Sequence, residues 1–161
     1  MFTVGIITVS DRSFQGARDD LSGPAIKKWA EDKKFRVAKE TIVPDEKEKI
    51  KEQLMAYSDL GLNLILTTGG TGFAPRDVTP EATLEVIEKN APGLAEVMRA
   101  KSLEVTPHAM LSRAVSGIRQ KSLIVNLPGS PKAVKENLQF IEPALLHGIE
   151  LLQNQVKDCA S

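Results

Sequence analysis

Leu62-Asn63-Leu64-Ile65-Leu66-Thr67-Thr68 runs straight into Gly69-Gly70-Thr71-Gly72-Phe73-Ala74-Pro75-Arg76-Asp77-Val78-Thr79-Pro80. The first seven residues form a short apolar run with β-compatible side chains, bounded by turn residues. That is the pattern of a parallel strand covered on both faces. Glycine holds three of the next four positions, which permits positive φ and lets backbone approach a ligand without side chains in the way. Clustered N–H groups in such a loop can hold an anion. The same glycines also suit a strand-to-helix turn that needs them for geometry only. Arg76 and Asp77 set a cation and a carboxylate beside the loop, and with them included an anion or nucleotide site is the favoured reading.

Outward from this run, the chain alternates strands and helices. Residues 2–9 predict a first strand, apolar nearly throughout, that ends in Ser10-Asp11-Arg12. A polar loop leads to Ser22-Gly23-Pro24, a helix start with Ser22 as N-cap and Pro24 in the first turn. This helix runs to about Lys34 and buries Ile26, Trp29 and Ala30. Phe35 to Val43 reads as a second strand closed by Pro44-Asp45, with Asp45 placed to cap the next helix. Ile50, Leu54, Tyr57 and Leu60 recur there at helical spacing, and Gly61 ends it.

Beyond the glycine loop, Thr79-Pro80 opens a helix with Thr79 as cap and Leu84, Val86 and Ile87 as its apolar side. Asn90-Ala91-Pro92-Gly93 interrupts, and Leu94 to Leu103 is helical again, with Leu94, Val97 and Met98 apolar. Thr106-Pro107 starts a short helix ending near Ser112-Arg113. Ser116–Arg119 and Ser122–Leu127 predict a hairpin. Ser130-Pro131 then caps a last helix to about Val156, with the stripe Val134, Leu138, Ile141, Leu145, Ile149 and Leu152. The order predicts an α/β fold, three layers α/β/α around a mostly parallel sheet with a small antiparallel portion, in a single domain over 1–161 with its core at about 3–153.

The composition narrows the function. Hydrophobic residues make up 42% of 161, enough for a core, and Lys plus Arg equal Asp plus Glu at 21 each. A neutral balance argues against a nucleic-acid partner, which usually meets a basic face. The first apolar run is too short for a signal segment and no run spans a bilayer, so a soluble cytoplasmic protein with no membrane partner is expected. The single cysteine, Cys159, is given no role.

Ligands of parallel sheets gather at the carboxyl ends of the strands. Those ends here are Ser10-Asp11-Arg12, Pro44-Asp45, Thr68 to Gly72, and Asn126-Leu127-Pro128-Gly129. They carry no histidine or cysteine; His108 and His147 lie on helices. The Walker, dinucleotide and Gly-x-Ser-x-Gly patterns are all absent, as is a Cys/His metal cluster. A carboxylate-and-backbone site remains. Paired aspartates beside an anion cradle suit Mg²⁺ bridging phosphates, and phosphoryl or nucleotidyl transfer needs mainly such positioning. Each aspartate also has a plain structural role open to it. Asp11 can brace its loop, Asp45 can be an N-cap, and Asp77 can be a turn residue paired with Arg76.

These residues also carry a resemblance. Thr67 to Gly72 with Pro75-Arg76-Asp77-Val78-Thr79-Pro80-Glu81-Ala82-Thr83 looks like the signature of the molybdopterin-binding family. Val9-Ser10-Asp11-Arg12, Ser22-Gly23-Pro24, Val43-Pro44-Asp45-Glu46, Ala109-Met110-Leu111-Ser112-Arg113, Gly117-Ile118-Arg119 and Asn126-Leu127-Pro128-Gly129 match it in the same order. The likeness covers about residues 3–153. It is strongest to the family's adenylyltransferases, the MogA type, and to the gephyrin G domain.

The resemblance implies a homotrimer that transfers AMP from ATP to molybdopterin with Mg²⁺ and releases pyrophosphate, ahead of a molybdate-inserting partner. By matching position it implies that Asp45 and Asp77 hold Mg²⁺ and orient the molybdopterin phosphate. It puts Gly69, Gly70, Thr71 and Gly72 at the nucleotide phosphates, with Arg76 counted among the nucleotide- or pterin-binding residues, and Asn126, Pro128 and Gly129 at the adenosine. Ser112 and Arg113 match positions near the pterin, and Ser10 and Asp11 lie on the first rim loop. In length the chain is close to the MoaB branch, so the alternative is a non-catalytic pterin-binding or oligomerisation module. Having both Asp45 and Asp77 weighs for catalysis.

Overall fold

The computed structural model describes residues 1–154, and there six strands form one sheet in the order β2-β1-β3-β6-β5-β4. The strands are β1 (Thr3–Val9), β2 (Arg36–Val43), β3 (Leu64–Thr68), β4 (Lys89–Asn90), β5 (Ser116–Arg119) and β6 (Ser122–Leu127). β2, β1, β3 and β6 run parallel, while β5 pairs antiparallel with β6 and β4 with β5. The helices are α1 (Asp11–Phe14), α2 (Ser22–Asp32), α3 (Lys47–Asp59), α4 (Thr79–Val86), α5 (Pro92–Ser102) and α6 (Pro131–Leu152), with a 3₁₀ turn at Pro107–Leu111. This is the expected three-layer arrangement, including the antiparallel portion.

The layers follow from alternation along the central strands. Val4 and Ile6 of β1, Leu64 and Leu66 of β3, and Leu123, Val125 and Leu127 of β6 pack against α2, α5 and α6. Ile7, Val9, Ile65 and Ile124 point the other way, onto Ile50, Leu54 and Tyr57 of α3 and Ala82 and Val86 of α4. Both faces of these strands are therefore apolar, which is why the sequence shows runs rather than alternation. Burying each such aliphatic side chain contributes roughly 1.5–3 kcal/mol. No helix of the described residues is long and apolar enough to cross a membrane.

Several local expectations change. α2 stops at Asp32, and Lys34 takes a left-handed φ of 67° to turn into β2. Trp29 is half-buried, stacked on Phe35 with its Nε1–H donated to Glu142. Leu60, at the C-terminal cap of α3, is exposed, and so are Leu84 and Val97, because α4 and α5 turn Ala82, Thr83 and Val86, and Ala95 and Met98, inward instead. α1 and β4 form where a loop and an interruption were expected. α6 ends at Leu152 with Asn154 left-handed; Val156 and Cys159 lie outside the described residues.

Candidate active site at the strand ends

The register brings the four predicted rim segments to one edge. Val9 pairs with Val43, Thr8 with Thr68, and Thr68 with Leu127, so the segments after each begin side by side. They enclose a cleft of about 310 Å³ whose lining includes Ser10, Asp45, Gly69, Gly70, Asp77 and Gly129.

Asp11 and Asp45 are clasped to each other. The Asp11 N–H donates to Asp45 Oδ2 at 2.8 Å, and the Asp45 N–H donates to Asp11 Oδ1 at 2.9 Å. Asp45 is thus not the cap of α3; Glu46 holds that position, without a side-chain bond. Arg76 likewise does not pair with Asp77. Its Nε and one terminal nitrogen grip both Asp11 oxygens at 2.6 and 2.9 Å. The arginine hydrogen bond holds the Asp11 carboxyl below its ordinary value, whereas loss of water around Asp45 pushes its carboxyl up, with the Asp11 and Asp77 charges adding. A carboxylate that is costly to ionise beside another is a common feature of sites that take a cation. Ser10, in turn, caps α1 by accepting the Ser13 N–H.

The glycine loop is tied at four points. Gly69 and Gly70 have φ of 96° and 69°. A β-carbon on Gly69 would collide with the Val9 carbonyl oxygen, and one on Gly70 would meet Thr79 Oγ1 and come within 3.1 Å of Asp45 Oδ1. Only glycine fits there. Thr79 is the first residue of α4 rather than its cap, and it anchors the loop by donating its N–H to the Gly70 carbonyl and its Oγ1–H to the Gly69 carbonyl. The Gly69 N–H goes to the Leu127 carbonyl and the Gly72 N–H to Asp77 Oδ2. The cradle thus narrows to the N–H groups of Gly70 and Thr71, which have no partner among the described residues. Asp77 Oδ2 also accepts the Ala74 N–H, while its Oδ1, like Asp45 Oδ1, is unengaged among the described residues.

Arg113 braces this loop from behind. Its guanidinium donates to the carbonyls of Gly72 and Asp77, both at 2.8 Å, and to Glu81 at 2.6 Å, and its N–H goes to the Thr71 carbonyl. Asn126 is fully buried, donating to Thr67 and Thr83 and accepting the Val115 N–H, so it knits β3, β6 and α4 together. A second, mostly apolar pocket of about 270 Å³ lies beyond Gly72, lined in part by Met98, Ser102, Leu111, Ser112 and Pro128.

Sequence reading missed Asp20, which caps α2 through the N–H groups of Ser22 and Gly23 and accepts the Thr8 hydroxyl at 2.8 Å. An Asx two residues ahead of Ser-Gly-Pro was the available signal. Ser22, freed from capping, donates its Oγ–H to the Gly129 carbonyl at 2.6 Å. Asp20, Arg18, Asp19 and Ser130 all line the cleft as well.

No group of three or more Asp, Glu, His or Cys able to hold a metal occurs among the described residues. Two free carboxylate oxygens on one cleft fit an ion that takes only one or two protein carboxylates and completes its shell with phosphate and water, which describes Mg²⁺.

Parallel strand ends that surround paired carboxylates, spare backbone N–H groups and helix starts make an α/β domain whose rim suits an anionic ligand. Comparison with known proteins narrows that class. The chain belongs to the family described as the probable molybdopterin binding domain, which matches residues 5–147. It is 43% identical over 152 residues to molybdopterin adenylyltransferase from Helicobacter pylori strain J99, covering 92% of this chain and 86% of that one. It is 43% identical to gephyrin of Dictyostelium discoideum, over 96% of this chain but only 23% of that protein. Its fold superposes on the molybdopterin biosynthesis enzyme MoaB from Thermus thermophilus with a TM-score of 0.91, at 50% identity, covering 96% of this chain and 98% of that one.

Proposed function

We propose that the chain is a Mg²⁺-dependent molybdopterin adenylyltransferase of molybdenum cofactor biosynthesis. The observation that carries this reading is the pair of unengaged oxygens, Asp45 Oδ1 and Asp77 Oδ1, on a cleft that also presents the Gly70 N–H. A phosphate oxygen of molybdopterin attacks the α-phosphorus of ATP, a phosphoanhydride bond forms, and pyrophosphate leaves. Mg²⁺, when bound, supplies the charge neutralisation that lets two polyanions meet. Asp45 and Asp77 hold it, and Asp11 and Arg76 keep Asp45 in position. The N–H groups of Gly70 and Thr71 receive a phosphate oxygen, while Arg113 fixes the loop that carries them.

The second pocket suits the pterin ring. Met98, Leu111 and Pro128 give it apolar walls, and Ser102 and Ser112 supply hydroxyls for the ring edge. Gly72 borders that pocket and bonds to Asp77, so a phosphate tail passing Gly72 reaches the carboxylates. The family resemblance carries the remaining parts of the reading: a homotrimer, located in the cytoplasm, that hands its product to a molybdate-inserting partner. Exposed Leu103, Val105 and Met110 offer apolar surface for assembly.

The test is to incubate the protein with molybdopterin, ATP and Mg²⁺ and to measure pyrophosphate and adenylylated pterin. Product from the native chain and none from Asp45→Ala or Asp77→Ala is the expected result. Tight molybdopterin binding with no product would select the non-catalytic module of the MoaB branch instead.

A further inference from the structure

Four carboxylates line the cleft, those of Asp19, Asp20, Asp45 and Asp77, against one cationic side chain, Arg18. The other guanidiniums near the glycine loop are committed, Arg76 to both oxygens of Asp11 and Arg113 to two carbonyls and Glu81. Arg18 is exposed, and its side chain makes neither a hydrogen bond nor an ion pair among the described residues, although Asp19 and Asp20 follow it directly. Asp20 is unavailable to it because its two oxygens already serve Thr8, Ser22 and Gly23. The starts of two long helices, at Ser22 and Pro131, open onto the same cleft and add positive potential there.

We propose that Arg18 is the phosphate-contacting cation of this cleft and engages the β- and γ-phosphates of the nucleoside triphosphate. The proposal rests on the reading that the cleft takes ATP. Transfer requires the α-phosphate to sit beside Asp45 and Asp77, which leaves the two terminal phosphates, with most of the ligand's charge, to be met elsewhere. An unpaired guanidinium fork matches phosphate oxygens two at a time, and nothing has to be broken to free it. The same contact neutralises pyrophosphate as it leaves. Arg18 therefore discriminates triphosphate and pyrophosphate from monophosphate, a role distinct from that of the carboxylate pair.

Calorimetric titration of the full chain with Mg²⁺ and ATP, inorganic pyrophosphate or AMP tests this, comparing the native protein with Arg18→Ala and Arg18→Lys. Arg18→Ala is expected to weaken ATP and pyrophosphate about tenfold and to leave AMP within about twofold, with Arg18→Lys between. Its melting temperature is expected to match the native value, since the exposed side chain gives up no bond within the described residues. Equal affinity of native protein and Arg18→Ala for ATP overturns the role of Arg18 alone, as does an equal loss for AMP. Failure of the native protein to bind ATP brings down the nucleotide reading and this one together.

Discussion

Asp11 and Asp45 hold one another through reciprocal bonds, each backbone N–H donating to the other's carboxylate at 2.8 and 2.9 Å. Thirty-four residues separate them in sequence, so the clasp joins the ends of β1 and β2 directly. Arg76 closes the far side of Asp11 with a bidentate grip. Under the proposed function, Asp11 acts on the reaction only by holding Asp45 in place. Asp11→Ala is expected to lower kcat roughly 10- to 100-fold, as misplacing a reacting group does, with KM for ATP little changed. Asp11→Asn keeps an oxygen for the Asp45 N–H and should recover part of the loss. A large rise in KM with unchanged kcat would instead make Asp11 a ligand-binding residue.

Burial around Asp45 gives a stability prediction with a definite sign. Desolvation raises its folded pKa above the unfolded value, so its favourable contribution is complete below the unfolded value and is lost as pH rises through the folded one. At neutral pH the ionised carboxylate therefore costs stability. Asp45→Asn, measured at pH 7 with chelator, should melt on the order of 1–3 °C higher than the native chain, with the gain shrinking toward pH 4. Asp11 runs the other way, its contribution being present above the unfolded value and lost as pH falls through a lower folded one. The same Asp45→Asn protein should lose at least about a hundredfold in adenylyl transfer. A lower melting temperature at pH 7 would show that the clasp, not the charge, governs this site.

Arg113 ties the loop to α4 through three side-chain bonds. Arg113→Ala strands two carbonyls and the Glu81 carboxylate, and urea unfolding should report a loss of about 2–3 kcal/mol. Glu81→Gln should cost much less, because that carboxylate is 45% exposed. Lysine at position 113 cannot form the fork and should resemble alanine more than arginine.

Gly69→Ala sets a β-carbon against the Val9 carbonyl oxygen at a positive φ, so it should destabilise by about 2 kcal/mol or more and abolish activity. Gly148 lies inside α6, where an added methyl group would meet nothing within 4 Å, and Gly148→Ala should stabilise by about 0.5–1 kcal/mol. Thermal melts of the two variants check both signs.

Most of the fold was legible because periodicity records burial directly. Val4 to Val9, Leu64 to Leu66 and Leu123 to Leu127 are covered on both faces, and their unbroken apolar runs say so. The rim segments were legible too, since turn chemistry marks strand ends. Partners were not. Asp45 and Ser22 stand where caps belong, yet Asp45 bonds to Asp11 and Ser22 reaches Gly129 across the cleft, while Asp20 does the capping. Local pattern names a residue's suitability for a bond, and the sheet order decides which distant group claims it. Asn126 shows the same limit. Its place at a strand end says nothing of the three bonds it makes to Thr67, Thr83 and Val115, which depend on where the sheet and α4 bring those partners.

The bonds that shape the cleft join positions 34, 65 and 107 residues apart. Each needs two distant segments to have met, the end of β1 with that of β2, the end of β1 with the glycine loop, and the start of α2 with the turn before α6, so loop-closure entropy must be overcome before any reward from the site is felt. Binding competence is therefore a late event in folding and an early casualty of unfolding. If the cleft takes a nucleotide as proposed, that ligand ties these distant segments together, and saturation at about a hundred times its dissociation constant should add about 2.7 kcal/mol to stability.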